Sequence, residues 1–95
     1  AVLENMGPHL AYQKELEDIG IMFAAGPFAD DEERIWSGAG MVIVRAENLD
    51  AANAIAAADP MHQAGARTYR IRPWLLNEGS FNVRLTYSDG KREIT

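Results

Sequence analysis

The sequence predicts a single α+β domain, and three patterns predict it. Apolar residues recur at helical spacing in two stretches, short β-branched runs lie between them, and the C-terminal part alternates apolar with polar up to an Asp-Gly turn. A chain of 95 residues is one domain's worth.

The first helix is expected to start at Gly7-Pro8, because proline at the first helical position lacks only an N–H that would have no partner there. His9, Tyr12, Leu16 and Ile19 then share one face, while Glu15, Glu17 and Asp18 point elsewhere. Gly20 is the natural stop, since glycine tolerates a positive φ. Residues 21–25 are a short apolar run ended by Gly26-Pro27 and read as a buried strand. Residues 29–38 carry Asp30, Asp31, Glu32, Glu33 and Arg34 and read as a solvated loop, with Trp36 as its one apolar anchor. Residues 41–44 read as the second strand.

Asn48 is a good N-cap for an alanine-rich helix over 49–58, with Leu49, Ala52 and Ile55 inward. It stops at Asp59-Pro60, because the residue before proline disfavours helical geometry. Residues 60–64 add a short helical turn closed by Gly65. Residues 68–72 alternate and read as a third strand, ending near Pro73-Trp74. Phe81, Val83, Leu85 and Tyr87 predict a fourth, and Asp89-Gly90 turns the chain into a short edge strand over 92–95. Helices on one face of such a sheet leave the other face in need of cover, most simply a second subunit.

Composition narrows the function. There are no cysteines, which excludes disulfides, thiol catalysis and zinc–thiolate sites. The formal charge of -5 and the scattered basic residues, Arg67, Arg70 and Arg72 apart, argue against nucleic-acid and anionic-membrane partners. No apolar run approaches the ~20 residues that span a bilayer, and no signal-peptide pattern is visible. A cytoplasmic protein is the expectation.

Pro8-His9-Leu10 with Leu16 and Gly20, then Ala25-Gly26-Pro27, Asp59-Pro60 and Ile71-Arg72-Pro73-Trp74, together resemble the YciI-like (YCII-related) family over residues 8–74. The resemblance implies a ferredoxin-like βαββαβ antiparallel sheet with helices on one face, paired with a second copy as a dimeric α/β barrel. Family members begin with a strand, and residues 1–6 are too few for one. The first strand is therefore expected to be missing, with the hairpin over 81–95 as its candidate replacement, from the same chain or its dimer mate. Residues 75–95 extend past the family core.

The resemblance also implies a catalytic pair, His9 and Asp59. A carboxylate bonded to one imidazole nitrogen fixes the tautomer and leaves the other nitrogen to move a proton. That equipment suits isomerisation or elimination from an acidic C–H, with neither cofactor nor metal. Read from the residues alone, His9 is a half-buried histidine early in a helix beside Tyr12, and Asp59 is the N-cap of the turn that Pro60 opens. His62 lies on that short turn, where exposure is the simpler reading and a pocket wall the second. A His9–His62–Asp59 metal site matches no ligand spacing. Gly26 and Pro27 end a strand and are candidates for the pocket floor. Tyr12 is a core residue or a pocket hydroxyl, and Trp74 a core or interface anchor or part of the substrate pocket. The acidic loop lacks the spacing and internal glycine of a calcium loop. Ser37 and Ser80 have no histidine and acid in a nucleophile motif.

Three functions are compatible with the resemblance. One is a cofactor-independent lyase or isomerase acting on a small cyclic or aromatic-derived organic acid or phenol, as muconolactone isomerases and a dehydrochlorinase share this fold. The second is a non-catalytic small-molecule-binding or accessory module, and the third a cofactor-free monooxygenase. The expected partners are a homodimer mate, or a higher oligomer, and a small-molecule ligand, with no nucleic acid and no membrane.

Overall fold

A computed structural model describes residues 1–36 and 38–95, so Ser37 lies outside the described residues. The chain is α+β. Its elements are α1 (Val2–Asp18), β1 (Met22–Pro27), β2 (Gly40–Val44), α2 (Leu49–Ala57), α3 (Pro60–Gln63), β3 (Val83–Leu85) and β4 (Arg92–Ile94). No helix among the described residues is long and apolar enough to cross a membrane.

The first helix starts earlier than Pro8 suggests. Val2–Met6 are already helical and Pro8 lies inside α1. Leu3, Glu4 and Met6 are good helix formers, and Glu4 places a carboxylate in the positive first turn. Pro8 offers no N–H to the carbonyl one turn back, but Gly7 before it has no Cβ to crowd the proline ring. Gly20 ends the helix at φ +81, and the Ile21 N–H bonds the Leu16 carbonyl.

β1 and β2 pair antiparallel with a bulge at Phe23, between Met22 and Ala24. Gly26 sits opposite Met41, and a Cβ on Gly40 would come within 2.9 Å of the Gly26 carbonyl oxygen. Only glycine allows that approach. The connection between the strands is folded by Asp30, whose carboxylate accepts the Arg34 and Ile35 N–H groups at 2.8 and 3.3 Å. Its carboxylate is thus a turn former. Trp36, expected to anchor this loop, is 61% exposed instead.

The second helix follows its local signals. The Asn48 side chain accepts the Ala51 N–H, and Ala58 closes the C-terminus. Ala52 and Ile55 are half-buried, but Leu49, expected inward, is exposed; among the described residues the element that α2 chiefly packs on is α3, which follows its C-terminus. Asp59, extended at φ -64 and ψ 127 ahead of Pro60, starts α3, and Gly65 follows it at φ +70.

The expected third strand does not form. Residues 68–72 stay without sheet pairing because Tyr69 is held elsewhere. Its hydroxyl donates to Asn53 Oδ1 of α2 at 2.9 Å, and its ring lies 4.5 Å from that of His62. The C-terminal hairpin does form, with Val83 opposite Ile94 and a turn closed by Gly90 at φ +70. It pairs with itself, so the described residues form two separate two-stranded sheets in place of one larger sheet.

The core is small and lies where α1 crosses α3. Met61 is fully buried, and Leu16 and Asp59 are each 6% exposed. β1, expected to be buried, is exposed along most of its length. The reason is architectural: α1 reaches only part of its surface, and among the described residues no strand besides β2 pairs with it.

Candidate functional site

The site begins with a backbone constraint. Proline at 60 pushes Asp59 into an extended conformation, which ends α2 and turns the Asp59 side chain over the start of α3. There one carboxylate oxygen, Oδ1, accepts the Met61 N–H at 2.8 Å. This is an ordinary N-cap bond, and it orients the carboxylate before any other residue touches it.

α1 supplies the partner. His9 Nδ1 lies 2.7 Å from Asp59 Oδ2 and 2.9 Å from Oδ1. The His9 side chain retains 12% of its exposure and that of Asp59 8%. An ionised carboxylate only accepts, so Nδ1 carries the proton in this contact. The lone pair, or the second proton of an imidazolium, is then at Nε2. The arrangement fixes a ring orientation and a tautomer, which are what a positioned proton carrier requires.

One turn along α1, the Tyr12 hydroxyl donates to the Ile55 carbonyl at 2.7 Å. That bond ties α1 to the last turns of α2. Burial, followed by the nearby charges of Asp59 and Glu15, pushes the Tyr12 phenol above its usual range. A phenolate here would lose water and face two carboxylates. Tyr12 thus remains a neutral donor beside the pair.

His62 is half-buried, and its ring stacks on Tyr69. Its Nδ1 lies 2.7 Å from the Ala56 carbonyl, which only accepts, so this nitrogen is also the protonated one. The simpler expectation, an exposed His62, gives way to a ring lodged between α2 and the chain after α3. Gly26 and Pro27 lie at the far end of β1 and border a cleft of about 210 Å³ with Phe28, Met41 and Ile43. Trp74 packs at 6.4 Å on the ring of Phe23 and is 60% exposed. The structure therefore gathers His9, Asp59 and Tyr12 at the crossing of α1 with α3 and places Gly26, Pro27 and Trp74 along the sheet.

A larger open groove of about 450 Å³ runs between α1 and β1, bordered by Leu10, Gln13, Glu17, Met22 and Phe23 among others. Sequence reasoning missed it. Leu10, Gln13 and Glu17 recur at three- and four-residue steps, a second stripe beside that of His9, and this was the available signal. It also missed Met61, whose N–H orients Asp59; no sequence pattern marks that role beyond the N-cap itself. Among the described residues, no group of three or more histidines and carboxylates converges to hold a metal ion.

The sequence profile described as the YCII-related domain matches residues 1–75. The match reaches residue 1, ahead of the expected start at Pro8, and ends at residue 75, where the C-terminal extension begins. No curated protein and no solved structure matches the chain.

Proposed function

The chain belongs to the YCII-related family, and from that premise we propose that it is a cofactor-independent acid–base catalyst of the lyase or isomerase type. The observation that carries this reading is the 2.7 Å contact between His9 and Asp59. Asp59 is held by its own backbone cap and holds His9 in turn, leaving Nε2 as the working atom. The base takes a proton from a C–H made acidic by a neighbouring carbonyl or carboxyl group. The electron pair left on carbon then forms a double bond. In an elimination the leaving group departs with its own bonding pair; in an isomerisation the proton returns at another carbon. Neither course needs an oxidant. The substrate class is a small cyclic or aromatic-derived organic acid or phenol, and the Tyr12 hydroxyl stands nearby as a neutral group.

The test is proton exchange. A panel of lactones, cyclic keto acids and phenols is incubated with the protein in deuterium oxide and followed by NMR. Deuterium entering an acidic C–H in the presence of the native chain, and not with His9→Ala, supports the reading. Undiminished exchange or turnover with His9→Ala overturns it.

One observation favours a second reading, a non-catalytic binding module. Neither the groove along α1 nor the cleft at Gly26 is bordered by His9 or Asp59. Saturable binding of a panel compound that His9→Ala leaves intact, with no deuterium exchange, selects this alternative.

A further inference from the structure

Pro60 leaves α2 with two carbonyls short of a donor, and two side chains supply what is missing. In an uninterrupted helix the Ile55 carbonyl would take the Asp59 N–H, and the Ala56 carbonyl that of residue 60. Proline has no N–H to give, and the chain leaves the helix at Asp59. The Asp59 N–H goes instead to the Ala56 carbonyl, at 3.2 Å. The Ile55 carbonyl takes the Tyr12 hydroxyl of α1 at 2.7 Å. The Ala56 carbonyl takes a second donor, the Nδ1–H of His62 in α3, also at 2.7 Å. A carbonyl oxygen has two lone pairs, and here both are used.

The shared acceptor matters because Asp59 hangs on it. The backbone bond that anchors Asp59 to α2 is at the long end of the hydrogen-bond range, and the bond from the His62 ring is at the short end. The element that the Asp59 side chain caps, α3, is a single turn of four residues. A turn so short gains too little from its own hydrogen bonds to hold its place. Met61 roots it in the core, and the His62 ring joins it to the last turn of α2.

The ring is held in turn. Tyr69 lies against it with centroids 4.5 Å apart and planes 38° apart. The Tyr69 hydroxyl donates to Asn53 Oδ1 at 2.9 Å, one turn back along α2 from Ala56. The path leaves α2 at Ala56 through His62, crosses to Tyr69 and returns to α2 at Asn53. Asp59-Pro60 is the corner of the segment closed in this way. On its other side the Asp59 carboxylate meets the Met61 N–H and His9.

We propose that His62 is a positioning residue for the His9–Asp59 pair. Its Nδ1–H stands in for the N–H that Pro60 lacks, and so fixes the peptide from which the Asp59 carboxylate projects toward His9. Tyr69 and Asn53 keep the ring turned to that task. His62 itself touches neither member of the pair by a hydrogen bond; it acts through the Ala56 carbonyl. The consequence for proton transfer rests on the acid–base reading above, whereas the placement of Asp59 does not.

The test separates the donor from the ring that carries it. His62→Phe keeps a ring beside Tyr69 and removes the donor. His62→Asn removes the ring and keeps an N–H about where Nδ1 stands. The readout is the His9 Nδ1 proton in the full chain, followed by NMR with isotope-labelled histidine; its exchange with water reports how often the contact to Asp59 opens. His62→Phe should speed that exchange roughly five- to tenfold, the weight of one net hydrogen bond. His62→Asn should stay within about twofold of the native chain. A ring that merely fills space would give the reverse order, and that order, or a His62→Phe chain with native exchange, overturns the proposal. Should His62→Phe fail to fold, His62→Gln takes its place. Its amide lies one bond farther out, near the position of Nε2, so it should open the pair where His62→Asn does not; equal exchange in the two overturns the proposal. Deuterium uptake by the substrate panel is measured on the same variants. A native chain that exchanges no substrate proton removes the acid–base reading, while the His9 proton still decides whether His62 positions Asp59.

Discussion

His9 and Asp59 are fifty positions apart along the chain, yet the imidazole Nδ1 sits between both oxygens of the carboxylate, at 2.7 and 2.9 Å. One of those oxygens is already occupied by the Met61 N–H. The contact is thus a chain of three groups, and its members separate by substitution.

Asp59→Asn keeps an oxygen for the Met61 N–H, so the cap survives, but its amide end turns an N–H toward His9. Nδ1 must then accept, and the imidazole proton moves to Nε2. We expect Asp59→Asn to unfold less readily than Asp59→Ala, which also loses the cap at a cost of about 1 kcal/mol. Both should lose proton exchange. Thermal melts and nitrogen NMR of the histidine ring check the two halves separately.

His9→Ala leaves the buried Asp59 carboxylate with the Met61 N–H but without its side-chain partner. A loss of roughly 1–3 kcal/mol is expected from an underbonded buried group, with the assembly state unchanged. Denaturant titration beside sedimentation measures both. A stability equal to that of the native chain would mean that the contact contributes nothing to folding.

Tyr12→Phe removes the bond to the Ile55 carbonyl and should cost about 1 kcal/mol at neutral pH. It should also change the alkaline limb of the stability curve. The phenol is held above its usual value of 10.0 in the folded chain, foremost by burial. Its contribution is therefore complete below pH 10 and is lost as pH rises through the folded value, because the unfolded chain ionises first. The native chain should lose stability above pH 10 more steeply than Tyr12→Phe. Equal slopes would count against this role.

Met61→Ala empties the one fully buried side-chain position among the described residues. The expected cost is about 2–5 kcal/mol. In so small a core this should lower the melting temperature sharply, whereas Leu75→Ala, at a residue 78% exposed, should barely move it.

How much of this was legible in the sequence depends on the range of the interaction concerned. The cap at Asn48, the cap at Asp59 with Pro60, the stop at Gly20 and the turn at Gly90 are local chemistry, and residues within a few positions dictate them. The start of α1 was misplaced because proline suits a first turn and yet is also carried within a helix when residues ahead of it are helix formers. The third strand was misread because alternation at 68–72 says nothing of Asn53 and His62, which claim Tyr69 for the helices. Trp36 and Trp74 look like anchors by size, yet both are largely exposed. The pairing of His9 with Asp59 was nominated by family resemblance; spacing alone does not reveal a contact across fifty residues.

The dipeptide Asp59-Pro60 ends one helix, opens the next and supplies the carboxylate that His9 touches. In the proposed acid–base reading, architecture and chemistry therefore fall on the same two residues. A drift in the ring's restraint on the backbone would re-aim the acid even with every side chain intact. A substitution at Pro60, which touches no ligand in any of these readings, should accordingly behave in a genetic screen like a lesion in the site itself.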